Sequence, residues 1–237
     1  MTWLARLCAL LILAMAALAV WMTLTQTFDP KPTPPSGITL PILGIELART
    51  ADEVRALFRD PMGCHNRDVF RGQIRLDWYF IAAYWALLCG LGGIAAFRPK
   101  IHWKLLAVAV FLLATAAAVF DSFENKGIVG LIDAKPEELV DINMAPQWTL
   151  AAQEVRRVSL IKWGCFFGAL IPIAIVFLFG GKGKSRMRAL AGLLFLAAGG
   201  MGIVGVFDHA WIAWASAVTF AAFLFALVVT AFVPDTL

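Results

Sequence analysis

The stretch IHWKLLAVAVFLLATAAAVFDSFENKG, residues 101–127, decides the fold. From Leu105 to Phe120 the only polar side chain is that of Thr115. A helix crossing the hydrocarbon core of a bilayer needs about 20 predominantly apolar residues. This run meets that need, with His102 and Lys104 at its entry and Asp121, Glu124 and Asn125 at its exit. The exit is the informative part, because three polar side chains spaced i, i+3, i+4 share one helix face.

The rest of the chain repeats the pattern. Of its 237 residues 61% are hydrophobic and only 15% are charged, where a soluble domain carries about a quarter charged residues. Mean hydropathy is +0.79. The apolar residues come in long blocks, and six of them are long enough to span: roughly 3–25, 77–97, 103–121, 159–180, 188–207 and 210–232. The expected fold is all-α, a polytopic membrane helix bundle of about six transmembrane helices. The first block has a signal-peptide look, with Arg6 and an Ala17-Leu18-Ala19 site, but its apolar run continues through Val20, Trp21 and Met22. That exceeds the 7–15 residues of a signal core, so the block reads as an uncleaved anchor over 1–25.

Charge gives the expected orientation. The net charge of +4 is spread between apolar blocks, which speaks against a nucleic-acid partner and for topology. Arg98, Lys100 and Lys104 follow the second block; Lys182, Lys184, Arg186 and Arg188 follow the fourth; neither short loop carries an acid. Both belong inside by the bias of short cytoplasmic loops towards Lys and Arg. With six crossings both termini lie inside, and the expected location is the cytoplasmic (inner) membrane.

Two longer segments then face outward. Residues 26–76 hold a Pro-rich spacer over 26–45, including FDPKPTPPSG, expected to be extended. A Thr50-Ala51-Asp52-Glu53 capping box follows, with Val54, Leu57 and Phe58 on one face of a short amphipathic helix over about 51–59. Residues 77–237 form the expected five-helix membrane part, with an outer loop at 122–158. In that loop Pro136 suits a helix start, and another helix is expected near Trp148. Val119-Phe120-Asp121 recurs as Val206-Phe207-Asp208, and Trp78 and Trp163 open matching helices, so helices 2–3 and 4–5 form a candidate duplicated hairpin.

The alternating direction of the spans brings Asp77, Asp121, Glu124, Asn125, Asp208 and His209 to the outer helix ends, as a candidate polar cluster. Asp77 and Asp208 stand where they can cap following helices. Asp121, Glu124 and Asn125 stand at an expected helix C-terminus, where the dipole disfavours acids. Carboxylates with an imidazole also suit a divalent metal, with Asp121, Glu124, Asp208 and His209 as candidate ligands. Cys64-His65 alone makes no metal signature, and Cys8, Cys89 and Cys165 read as small apolar-block residues. No phosphate-binding loop, nucleophile elbow or H-E-x-x-H motif is present.

ELARTADEVRALF (46–58), RLDWYFIAAYW (75–85) and FDSFEN (120–125) together resemble a loose group of uncharacterised bacterial multi-pass membrane proteins. The group shows an outer ELA-type helix, an Asp opening the next membrane helix, and D-x-x-E-N near a later helix end. The matching residues are Glu46, Leu47, Ala48, Asp77, Asp121, Glu124 and Asn125, within the first half of the chain. The resemblance implies a multi-pass helix bundle and brings no activity with it.

Two functional readings follow. One is a non-catalytic integral membrane protein in the lipid bilayer, its polar cluster structural or binding a protein partner or lipid ligand. The alternative is a metal-dependent membrane hydrolase of lipids, acting through the Asp/Glu/His cluster with a divalent metal. A transporter ranks behind both, since helices 2–6 carry no charge midway along their length, where coupling sites lie.

Overall fold

The computed structural model of the chain describes residues 2–25, 41–58, 65–134, 143–180 and 186–232. Among them every regular element is helical: α1 (Thr2–Thr25), α2 (Pro41–Glu46), α3 (Ala51–Leu57), α4 (His65–Ala96), α5 (Ile101–Asp133), α6 (Ala145–Phe179), α7 (Arg186–Phe207) and α8 (Ala210–Phe232). The five helices α4 to α8 are long and apolar enough to cross a membrane. In α1 the described apolar stretch, Arg6–Leu18, is shorter than a span.

Three helices run well past the expected boundaries. α4 starts at His65 rather than near Asp77, α5 ends at Asp133 rather than near Asp121, and α6 starts at Ala145 as one continuous helix. The expected outer loop at 122–158 is therefore helical over 122–133 and 145–158. The reason is visible in α5. Its buried stripe Val110, Ala114, Ala117 continues through Asp121, Glu124, Ile128, Leu131 and Ile132 at helical spacing, so the same face stays covered after the hydropathy falls. At 33 residues and 1.5 Å per residue, α5 is about 50 Å long, well beyond a hydrocarbon core of about 30 Å.

The chain divides into two units: Met1–Ala17, Ala82–Ala118 and Lys162–Leu237 in the first, Leu18–Ile81 and Val119–Ile161 in the second. In the first unit small residues let helices approach. A β-carbon added at Gly202 of α7 would overlap the ring of Phe167 in α6, and one at Gly205 would stand 2.9 Å from Ile212 of α8. Phe167 is stacked on Trp163 with ring centroids 5.5 Å apart. Trp85 Nε1 of α4 donates to Thr115 Oγ1 of α5 at 3.1 Å.

The second unit has its own apolar core. Ile45, Ala48, Val54, Leu57 and Phe58 pack with Phe70 and Ile74 of α4, Ile128, Leu131 and Ile132 of α5, and Ala152 and Val155 of α6. The expected amphipathic helix is α3, and its Val54-Leu57-Phe58 face is the buried one. Thr50 is its N-cap, Oγ1 accepting from Glu53 N at 3.2 Å. Glu53 Oε2 returns to accept from Arg49 N, one residue before the cap, a variant of the expected box. Thr149 of α6 accepts from Ala51 N at 3.1 Å, so the start of α3 is satisfied from two sides. Thr50→Ala is expected to lower stability by about 1 kcal/mol, with faster amide exchange confined to residues 51–57. An unchanged exchange rate at Glu53 N would contradict the cap.

Residues 41–46 are helical, although 41–45 were expected in the extended spacer. The spacer at 26–40, Cys64 and the expected helix start at Pro136 lie outside the described residues.

Candidate functional site

Asp121, Glu124 and Asn125 share one face of α5, and that face is buried: their exposures are 5%, 1% and 2%. They do not end a helix, because α5 continues to Asp133. Nor does Asp77 begin one, because α4 starts at His65. Capping is thus removed as an account of Asp77, and the unfavourable C-terminal dipole no longer bears on the other three. What replaces both is a lateral contact between the helices. Asn125 Nδ2 donates to Asp77 Oδ2 at 2.7 Å. A hydrogen bond to a carboxylate contributes about 1.5–3 kcal/mol, and a buried acceptor left without its donor costs a similar amount. Asp77, Asp121 and Glu124 each engage further polar or electrostatic contacts, as the two buried ones, Asp121 and Glu124, must.

The same unit carries exposed aromatics. Trp21, Trp78, Tyr79 and Phe123 all face outward, and Lys126 Nζ lies 5.8 Å from the centre of the Phe123 ring. Trp and Tyr gather where bilayer meets water, and lysine side chains reach from apolar surface towards water. Asp77 stands within a turn of Trp78 and Tyr79 in α4, and Asn125 within a turn of Phe123 and Lys126 in α5.

Asp208 and His209 fall in the other unit and serve the α7–α8 turn. Asp208 is exposed, and its Oδ1 accepts from Ala210 N at 3.4 Å. Its carbonyl accepts from Trp211 N at 3.0 Å. This is the helix cap expected of it. His209 Nδ1 lies 3.3 Å from Gly205 O, a contact that puts the ring proton on Nδ1. The repeated Val-Phe-Asp thus has two environments: Asp121 is buried in mid-helix and Asp208 is exposed in a turn. Among the described residues no three His, Cys, Asp or Glu side chains are grouped so as to hold a metal ion.

Three buried polar residues of the second unit, Arg67, Ser159 and Asn66, were not singled out by sequence. Arg67 Nη1 donates to Ile132 O at 3.2 Å and also to Ala134 O, and its Cζ lies 5.0 Å from the centre of the Phe58 ring. It closes the C-terminal end of α5, where the dipole favours a cation. Ser159 Oγ lies 2.9 Å from Val155 O and 3.1 Å from Glu46 O. Glu46 and Asn66 are buried as well. For Arg67 a signal existed: a cation near the N-terminal end of α4 lies opposite the C-terminal end of α5, once both are given their full length. All seven residues that carried the resemblance, from Glu46 to Asn125, fall in this unit, and all but Asp77 are buried.

No family model matches the chain, and no curated protein or solved structure matches it. Fold and site together define an all-helical protein whose long apolar helices suit an integral membrane protein, with buried polar contacts where α4 meets α5.

Proposed function

We propose that this is a non-catalytic integral membrane protein of the cytoplasmic membrane, with both termini inside. Its Asp77/Asp121/Glu124/Asn125 cluster locks α4 to α5 within a helical module that receives a protein partner or a lipid. The supporting observation is the Asn125–Asp77 hydrogen bond, on a helix face whose acids are buried. Groups that act on a substrate must be reachable, and Asp121, Glu124 and Asn125 are covered. Asp208 and His209, the other expected members, are employed in a turn. The module is the second unit, with its own core of α2, α3 and the extended ends of α4, α5 and α6. We place the chain with the bacterial multi-pass proteins that share its Glu46-Leu47-Ala48, Asp77 and Asp121-x-x-Glu124-Asn125 pattern.

A double-mutant cycle tests the lock. Asp77→Ala and Asn125→Ala should each lower unfolding stability in detergent by about 1–3 kcal/mol. The double variant should lose less than the sum, with a coupling of about 0.5–3 kcal/mol. Additive losses would show that the pair is not a lock. Metal analysis addresses the hydrolase alternative: a stoichiometric divalent ion in the purified protein, lost in Asp121→Asn at unchanged stability, would replace the proposed reading with that one.

A further inference from the structure

The end of the first unit that holds the α4–α5 turn is basic and largely closed. Arg98 lies between Ala96 and Ile101, the end of α4 and the start of α5. Its Cζ stands 5.3 Å from the centre of the Trp103 ring. The same guanidinium is packed on the end of α6, with Cζ and Nη2 at 3.0 and 3.1 Å from where a Gly180 β-carbon would be. That helix end carries the negative pole of the dipole, so Arg98 is well placed there.

Arg188 is in the reverse situation. It is the third residue of α7, at a positive pole, where a cation is disfavoured by about 0.3–1 kcal/mol. It is also only 5% exposed. α7 lies close to the end of α6 here, since a β-carbon at Gly192 would stand 2.7 Å from Leu178. One turn back from Gly192 is Arg188, at the level of Gly180 and therefore of Arg98. Burial first, and then the Arg188 charge, push Arg98 below the ordinary arginine range.

Two guanidiniums and a positive helix pole are thus held together in a half-covered place. Phosphate oxygens match that arrangement, because they accept paired N–H donors and are favoured at helix N-termini. Just beyond the basic end, Ile101, Leu105 and Val108 of α5 and Leu190 and Leu193 of α7 are exposed, an apolar surface suited to acyl chains. Basic pockets between membrane helices hold anionic headgroups in this way. We propose that this end of the first unit binds the phosphate of an anionic phospholipid, with Arg98 as the contacting residue and Arg188 and the α7 N-terminus behind it. Free inorganic phosphate shares the headgroup chemistry and lacks the chains.

The full chain is purified in detergent and reconstituted in phosphatidylcholine nanodiscs with and without phosphatidylglycerol. Native mass spectrometry counts retained lipid, and the thermal midpoint is followed in parallel. Expected are retention of phosphatidylglycerol over phosphatidylcholine and a midpoint raised by phosphatidylglycerol. Arg98→Gln should weaken retention about ten- to a hundredfold, the loss of a charge-assisted hydrogen bond. Arg186→Gln, at an exposed neighbour, should leave retention unchanged. Arg98→Lys keeps the charge at the α6 end while removing the paired donors, so it should lose lipid without losing its midpoint in phosphatidylcholine. Equal retention of the two lipids by the wild type would overturn the proposal. So would phosphatidylglycerol retention that is the same in the wild type, Arg98→Gln and Arg98→Lys. Inorganic phosphate that stabilises the protein as much as the lipid does, and displaces it, would overturn the assignment to a lipid.

Discussion

Arg67→Met is expected to loosen the end of α5 and free α3 from the second unit. The substitution removes the donor to Ile132 O and Ala134 O and the cation above Phe58. Each buried carbonyl that loses its donor costs about 1–3 kcal/mol, and the cation–ring contact contributes about 0.5–2 kcal/mol. A loss of about 3 kcal/mol or more is the expected order, a large part of the 5–15 kcal/mol that holds a typical domain together. Hydrogen exchange should show it locally, with protection falling at 128–134 and 51–58 and unchanged along α7 and α8. Arg71 offers the contrast. Its pairing with Asp133 at 2.7 Å is between half-exposed side chains, and such pairs contribute about 0–1 kcal/mol. Arg71→Ala should hardly change exchange at the same amides. If Arg67→Met and Arg71→Ala behave alike, the clasp is not what ends α5.

Gly202→Leu is expected to separate α6 from α7. The first added carbon would already overlap the Phe167 ring. That ring is fully buried and held between Trp163 and Phe166, so it has no free direction in which to turn. Overpacking a tight core costs about 1–3 kcal/mol, and here the leucine brings four carbons into space that excludes one. Close backbone approach at glycine is the main source of packing energy between membrane helices, since lipid competes equally for apolar side chains. The thermal midpoint in detergent should fall sharply and expression should drop. Gly200→Leu is the matched control, because a β-carbon there meets nothing within 4 Å. Phe167→Ala added to Gly202→Leu should restore part of the loss. A Gly202→Leu protein as stable as Gly200→Leu would remove Phe167 as the obstacle.

The apolar runs made the helical class legible, because about 20 consecutive apolar residues have few other uses. The capping box made α3 legible, since Thr50 and Glu53 act over four residues and need no tertiary partner. The ends of α4, α5 and α6 were not legible in the same way. Hydropathy reports where lipid stops, whereas Ile128, Leu131 and Ile132 are covered by α2, α3 and their neighbours. Their spacing of three and four from Glu124 was present in the sequence, and following the period rather than the hydropathy would have extended α5. Of the candidate cluster, Asp121, Glu124 and Asn125 were correctly placed on one face by their spacing. Their convergence with Asp77 was drawn from helix ends, whereas the contact seen, Asn125 to Asp77, is made between helix interiors. Asp208 was correctly given a capping role as one of its two readings. Arg67 escaped notice because its partners are backbone carbonyls, which leave no mark in a sequence.

The close turn between α7 and α8 bears on which membranes suit this protein. α7 has 22 residues and α8 has 23, each about 33–35 Å long. Gly205 seats the start of α8 against the end of α7, so neither helix can lean without carrying the other. In a thicker, sterol-rich bilayer a lone span straightens and a short one draws the lipid thin around it. This pair can change tilt only as one body, so part of the mismatch passes to the surrounding lipid. Hydrophobic mismatch therefore favours bilayers near the average thickness, and the chain should partition away from thick domains in vesicles where the two phases coexist.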